Sequence, residues 1–329
     1  MNLVRLLAAT MLAALTLGSA AAQTLTFVWY PNESTPEFAE SRNAIVEVIE
    51  ETLGVEVREQ LTTDYAIAIE ALVNENAAFS WFGGEGYVQA HDREPAVLPL
   101  VTASPTMSLD DAKYYSMIGA LVENVDMFKA GGAVDLDTLE QTRFSFVSNS
   151  STSGFRVPSA VLANHFGVPS EDLLLGGPNE VFAEVMFGGS HQGSFFNVLT
   201  GRADSGAFCN VCIDTYVEFV NGSAVDPVAG DLIRVLEGAE APFNQVPGVE
   251  VELIATMPVL NAPIVVNTNL ITDEQFDALI EAFTSEEIMS NPDIFAPEGS
   301  DSRAFFSEGE RFLAVEDSWY DPIRALAGN

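Results

Sequence analysis

The stretch TLTFVWYPNESTPEFAESRNAIVEVIEETLGVEVREQLTTDYAIAIEALVNENAAFSWFGG, residues 24–84, decides the fold. Its apolar residues change from the alternation or continuous run of a strand to a helical period of about 3.6 residues, and back again. These changes predict a strand at 24–30, a helix at 40–54, a strand at 55–62, a helix at 64–77 and a short buried strand at 77–84. Gly54 is expected to end the first helix and Asp64 to cap the second. This βαβαβ order is typical of an α/β lobe with a mostly parallel sheet.

A second alternating series begins near Tyr115. Its predicted strands are 115–122, 143–148, 205–213, 249–260 and 262–268, and its predicted helical segments are 135–141, the run after the turn at 151–154, 190–203, 272–285 and 307–316. Thr272 and Gln275 have the spacing of a capping box. Because no flexible linker separates the two series, we predict two lobes joined by strands. Residues 23–115 with 262–329 form lobe one, and residues 116–261 form lobe two.

The first 22 residues have the features of a secretory signal peptide. Arg5 precedes an apolar run at 6–17, and Ala20, Ala21 and Ala22 stand ahead of Gln23. The run is shorter than the roughly 20 residues that span a bilayer. We therefore expect cleavage near Ala22 and Gln23, and a soluble protein exported to the periplasm.

The charge of the chain is strongly one-sided. Its 48 acidic residues face 13 Lys and Arg, for a formal net charge of −35. Such a charge opposes binding to nucleic acid and to anionic membranes. If the ligand is an anion, local donors must hold it against this field.

The turn NSSTSGFRVPSAVL, residues 149–162, follows a predicted strand and precedes a helix. At such a junction in an α/β sheet, unpaired amides and the helix dipole favour an anion. Ser151, Thr152 and Ser153 add hydroxyl donors, and Pro158 is expected to confine regular helix to Val157 onward. The alternative is a group of capping residues that only starts the helix.

A second stretch, FGGSHQGSFF at 187–196, repeats this arrangement with His191 at the start of a helix. Two such termini could face one anion. The alternative is a histidine that is exposed to solvent or held by structural hydrogen bonds.

These motifs resemble the periplasmic phosphonate-, phosphite- and phosphate-binding proteins of ABC importers, a branch of the type II solute-binding proteins. The resemblance rests on Tyr65 in DYAIAIEAL, on SWFGGEGYVQA (80–90), YYSMI (114–118), FVSNSSTSGFRVP (146–158) and GSHQGSFFNVLTGRAD (189–204). It implies a two-lobed α/β fold that closes on a small oxyanion. The resemblance implies that the ligand is bound by Ser151, Thr152, Ser153, His191 and Tyr65. It also implies a second tyrosine, either Tyr114 or Tyr115, and we choose Tyr115.

The resemblance also narrows the ligand. Relatives that take aminoalkyl phosphonates place carboxylates beside the ammonium, at positions that fall here on Val211 and Ala262. A cationic tail would then find no partner, so phosphite, phosphate or methylphosphonate is favoured over aminoethylphosphonate. Asp214 is close enough along the chain to weaken this argument.

Cys209 and Cys212 are the two cysteines of the chain and lie where the resemblance places the substituent pocket. In an exported protein a CxxC pair favours a local disulfide. Two alternatives stay open: a thiol site for a thiophilic species such as arsenite, and cysteines that only pack.

The sequence argues against an enzyme. The segment Gly188-Gly189-Ser190-His191-Gln192 misses the GxSxG pattern, and neither a P-loop nor a dinucleotide fingerprint is present. We expect no cofactor and no metal. The expected partners of the monomer are a permease and its ATPase, and a membrane histidine kinase that reads the same closed form is the alternative.

Overall fold

The computed structural model describes residues 24–297, 299 and 304–326, so the predicted signal peptide lies outside the described residues. The chain forms two mixed β-sheets flanked by helices, which confirms the predicted two-lobed α/β class. In the described part of the chain, no helix is both long enough and apolar enough to cross a membrane.

The first sheet has six strands. Their spatial order is Arg311–Ala314, Val97–Ser104, Pro263–Asn267, Phe79–Trp81, Thr24–Trp29 and Glu56–Leu61. The strand Thr24–Trp29 pairs in parallel with both of its neighbours, as predicted, whereas Pro263–Asn267 runs antiparallel to Phe79–Trp81. The α-helices in the residues assigned to lobe one are Ala39–Leu53, Tyr65–Val73, Gly84–Arg93, Asp273–Phe283, Glu286–Met289 and Asp321–Ala325.

The second sheet has seven strands. Their order is Val217–Phe219, Leu232–Val235, Glu250–Leu260, Lys113–Leu121, Ser205–Cys209, Arg143–Phe146 and Glu184–Phe187. Its two α-helices are Val157–Phe166 and His191–Leu199.

The chain passes between the sheets twice, and the two passages lie side by side. Asn261 donates its backbone N–H to the carbonyl of Ala112 at 3.0 Å and its side-chain amide to the carbonyl of Ala103 at 2.8 Å. These bonds tie the passage after Ser104 to the passage before Pro263. The strand Lys113–Leu121 belongs to the second sheet from its first residue.

Local signals in the sequence set several element ends. Gly54 ends its helix in the left-handed conformation with φ of 65°, and the Asp64 carboxylate accepts from the Ala66 amide at 2.7 Å. The capping box of Thr272 and Gln275 is present with both of its hydrogen bonds. These three predictions are confirmed.

The helix predicted at 307–316 is wrong. Residues Arg311–Ala314 form an edge strand antiparallel to Val97–Ser104. Phe312 is the buried residue of this strand, and its ring lies 5.0 Å from that of Phe306 and 5.6 Å from that of Phe283. The aromatic cluster, rather than local periodicity, decides the conformation here.

Candidate functional site

A cavity of about 110 Å³ lies between the two lobes. Its polar lining includes Ser151, Thr152, Ser153, His191, Tyr65 and Tyr114, and its apolar lining includes Phe38, Trp81, Phe305, Val211 and Ala262. The volume is well below the ~300–1,000 Å³ of sites that take drug-sized ligands. The cavity therefore suits a ligand of a few heavy atoms.

The turn at 151–156 forms because its polar groups satisfy one another. The Ser151 hydroxyl accepts from the Gly154 amide at 3.0 Å and so caps a π-helical turn, Thr152–Arg156. A side chain at position 154 would meet Val147 at 2.3 Å, so glycine is needed there. Regular helix begins at Val157, as predicted from Pro158.

This turn contacts the other lobe closely. The Glu85 amide donates to the Thr152 hydroxyl at 2.9 Å, and a Cβ at Gly83 would lie 2.6 Å from the same oxygen. The Ser153 hydroxyl accepts from the Tyr114 hydroxyl at 3.0 Å. All three hydroxyl residues of the motif are buried and line the cavity.

His191 lies against the same serines. Its Nε2 is 3.3 Å from the Ser151 hydroxyl oxygen and 3.5 Å from that of Ser153. Ser190 caps the helix by accepting from the Gly193 amide at 3.0 Å. Burial lowers the pKa of His191 from 6.5 to about 3, so the ring is neutral at physiological pH. A neutral imidazole offers one N–H donor.

Tyr65 is the first residue of its helix, and its ring packs 4.1 Å from that of Tyr30. Its phenol oxygen accepts from the Asn32 amide at 2.6 Å, and Asn32 in turn accepts from the backbone N–H of His191 at 3.0 Å. Burial raises the pKa of Tyr65, and it raises that of Tyr114 to about 12. Both phenols are therefore protonated donors at neutral pH.

No lysine or arginine of the described residues lines this cavity. The nearby Arg156 is paired with Glu85, with its Nη2 2.6 Å from the carboxylate oxygen. An anion in the cavity would therefore be held by uncharged donors in a buried environment, where a hydrogen bond is electrostatically stronger than in water.

The structure brings together Ser151, Thr152, Ser153, His191 and Tyr65, but not Tyr115. Tyr115 directs its hydroxyl to Asp226 at 2.5 Å, while Tyr114 lines the cavity. Successive residues of a strand point to opposite faces, so only one of the two tyrosines can face the cavity. Tyr114 takes the place that we gave to Tyr115.

Cys209 and Cys212 form a disulfide with a Cα–Cα distance of 5.3 Å, as the CxxC spacing favoured. Cys212 lines the cavity together with Val211. Because both sulfurs are bonded to each other, the cavity presents no thiol to a thiophilic ligand.

Two carboxyl groups in the cavity lining affect which ligands the cavity can accept. Val211 and Ala262 line it, but so do Glu33 and Asp214. The expectation that a cationic group would find no carboxylate in the cavity is therefore wrong. Asn32 and Glu33 were not among the predicted site residues. The sequence nevertheless carried a signal for them, because both follow the carboxyl end of the strand Thr24–Trp29, where ligands of α/β sheets bind.

Two lobes that meet over a cluster of uncharged donors define a periplasmic binding protein of the type II class. A family model described as the periplasmic phosphonate substrate-binding protein of ABC transporters matches residues 27–320. The chain belongs to this family, whose members bind a substrate for transport and are not enzymes.

Individual relatives are more distant. The chain is 24% identical over 198 residues to the phosphate-import protein PhnD of Mycolicibacterium smegmatis, a match that covers 58% of this chain and 57% of the relative. It is 24% identical over 177 residues to the probable phosphite-binding protein PhnD1 of Prochlorococcus marinus, which covers 54% and 55% of the two chains. The chain thus matches little more than half the length of these curated relatives.

Solved structures show the fold over nearly the whole chain. PhnD1 of Prochlorococcus marinus, in complex with methylphosphonate, superposes with a TM-score of 0.66 at 18% identity, covering 93% of this chain and 97% of that one. A binding protein of an ABC phosphonate transporter from Pseudomonas aeruginosa gives 0.63 at 17% identity, covering 92% and 85%.

Proposed function

We propose that this protein captures a small phosphorus oxyanion (phosphite, phosphate or an alkylphosphonate) in the periplasm and delivers it to an ABC permease and ATPase. The supporting observation is the cluster of buried, uncharged donors around a small cavity. The Nε2 of His191 lies within 3.5 Å of the hydroxyl oxygens of both Ser151 and Ser153. Tyr114 and Tyr65 complete the cluster of donors.

The apolar wall of the cavity favours phosphite and alkylphosphonates among these ligands. The rings of Phe38 and Trp81 each lie 4.9 Å from the ring of Phe305, and Ala262 and Val211 also line the cavity. A hydrogen or methyl substituent on phosphorus would contact this wall without leaving a polar group unpaired.

Closure of the lobes is the proposed mechanism. In this proposal lobe two begins at Lys113 rather than at residue 116, because Lys113–Leu121 pairs within the second sheet from its first residue. Lobe one then comprises residues 24–112 with 261–326, lobe two comprises 113–260, and the passages joined by Asn261 form the hinge. The ligand would shift the population toward the closed form because it contacts both lobes only there. The closed monomer would be the form that the permease recognises, after cleavage of a signal peptide near Ala22.

Isothermal titration calorimetry tests this function. We expect binding heat with phosphite, phosphate and methylphosphonate and weaker binding of sulfate and arsenite, and aminoethylphosphonate tests whether the carboxyl groups of Glu33 and Asp214 hold an ammonium group. Ser151→Ala and Ser153→Ala should each weaken binding by about 1.5–3 kcal/mol, roughly ten- to a hundredfold, because each removes a hydrogen bond to a charged ligand.

Ser170→Ala is a matched control, because Ser170 is buried but does not line the cavity. It should bind like the unmodified protein. Unchanged affinity in both serine variants would move the site elsewhere, and heat from aminoethylphosphonate alone would refute the ranking of ligands.

A further inference from the structure

Glu33 is an acidic group in a cavity that is suited to an anion. It lines the cavity, and its Oε2 is buried with no hydrogen-bond partner among the described residues. An ionised carboxylate beside a bound oxyanion is a like-charge contact that disfavours both charges. A proton on one of the two groups turns this repulsion into a hydrogen bond.

The carboxyl of Glu33 lies near the hydroxyl cluster. Its negative charge adds to burial in raising the pKa of Tyr65 and that of Tyr114. Tyr114 in turn donates to Ser153 at 3.0 Å. A ligand oxygen held by this cluster is therefore within the electrostatic reach of Glu33.

Arg42, the arginine whose charge lowers the pKa of Glu33, is engaged with other groups. The guanidinium of Arg42 donates to the backbone carbonyls of Glu33 at 2.6 Å and Thr35 at 2.8 Å, and it pairs with the Glu59 carboxylate at 3.1 Å. The positive charge of Arg42 is therefore largely balanced by Glu59.

The other titratable groups near Glu33 carry no positive charge. They are the phenols of Tyr30, Tyr65 and Tyr114, the imidazole of His191 and the carboxyl of Asp214. Burial raises the pKa of Glu33 from 4.5 to about 8, although its own backbone amide, Asn32 and Arg42 lower it in part. The empty cavity at neutral pH thus holds a mostly neutral carboxylic acid.

Resting on the proposed function, we infer that Glu33 and the bound oxyanion share one proton, which lies between the Glu33 carboxyl and a ligand oxygen. A dianion such as methylphosphonate above its second pKa accepts this proton from Glu33. A monoanion brings the proton itself and donates it to Glu33 where that group is ionised; where Glu33 is already protonated, one of the two protons leaves to solvent. Either route gives the same complex. It contains one shared proton, and it carries one negative charge fewer than a complex in which both partners are ionised.

Proton uptake on binding is the direct test. At about pH 9, roughly one unit above the pKa of Glu33, free Glu33 and free methylphosphonate are both deprotonated, so the complex must take its proton from solvent. Calorimetry in buffers of different ionisation enthalpy should report close to one proton taken up per ligand. The affinity should fall about tenfold per pH unit in this range.

Two variants assign the proton. Glu33→Gln keeps the shape and offers a fixed N–H donor, so its binding of methylphosphonate at this pH should involve no proton uptake and little pH dependence. Asp214→Asn, the matched change at the other carboxyl of the cavity, should retain the uptake. The measurement on the unmodified protein tests the inference even if a variant does not fold.

The outcomes separate this inference from the proposed function. Absence of binding by any oxyanion overturns both. Binding of methylphosphonate without proton uptake overturns the shared proton alone. Tighter binding of aminoethylphosphonate than of methylphosphonate, with the advantage lost in Glu33→Gln, would show an ionised carboxylate that holds an ammonium group, and it would also overturn the inference.

Discussion

Glu85→Gln is expected to weaken ligand binding, although Glu85 does not line the cavity. Glu85 lies on the helix Gly84–Arg93, and its carboxylate accepts from Arg156 of the other lobe at 2.6 Å. The two side chains are 3% and 16% exposed. The change removes the charge of this pair and keeps the shape of the side chain.

The magnitude follows from what happens to Arg156. In the closed form its guanidinium would face a neutral amide, and the loss of a charge-assisted hydrogen bond costs about 1.5–3 kcal/mol. The full cost of breaking a buried pair, about 3–5 kcal/mol, is an upper limit, because the amide oxygen of the variant still accepts. When the lobes separate, water solvates both groups. The cost therefore falls on the closed form, and the dissociation constant should rise roughly ten- to a hundredfold.

Calorimetry with methylphosphonate on Glu85→Gln, Arg156→Gln and the double variant checks this prediction. If the two residues act as one unit, the double variant should lose little more affinity than either single variant. Thermal unfolding of the ligand-free variants controls for damage within a lobe. Binding of wild-type strength by both single variants would refute the contribution of closure contacts to affinity.

Three further predictions concern the site and its surroundings. Tyr114→Phe should weaken oxyanion binding at least about fivefold by removing a donor, whereas Tyr115→Phe should change it less than about twofold, as calorimetry would show. Because burial lowers the pKa of His191 from 6.5 to about 3, unfolding takes up a proton as the pH falls below about 6.5. The contribution of His191 to the free energy of unfolding should therefore be fully present above that pH and decline toward about pH 3, and His191→Gln should flatten this decline in urea titrations. Titration of the unreduced protein should find no free thiol, and two free thiols would contradict the disulfide of Cys209 and Cys212.

The residues that the sequence predicted are those with local causes. Ser151 caps a turn through Gly154, three residues away, and Asp64 caps a helix through Ala66. The helix start at Val157 follows from the fixed backbone of Pro158. Such features depend on a few neighbouring residues, so their spacing is visible in one sequence.

The residues that it missed depend on contacts distant in the chain. Asn32 has its role because His191, 159 residues away, donates to it. The choice of Tyr114 over Tyr115 depends on the register of its strand, because a shift of one residue exchanges the two faces. The strand Arg311–Ala314 depends on the ring of Phe283 in another helix. No local period carries this information.

The charge of the protein and the chemistry of the cavity support one account of anion binding. The chain carries a formal charge of −35, and both arginines near the cavity in the described part, Arg42 and Arg156, are paired with the carboxylates of Glu59 and Glu85. Long-range attraction therefore cannot bring an anion to the site, and affinity must come from contacts made at short range after water has left. Buried neutral donors gain strength there, while a buried unpaired charge would be costly to keep in the empty protein. A protonated Glu33 carries no charge in the empty cavity, and its O–H can donate to an anion when the lobes close, so the same cavity can be neutral when empty and complementary to an anion when closed.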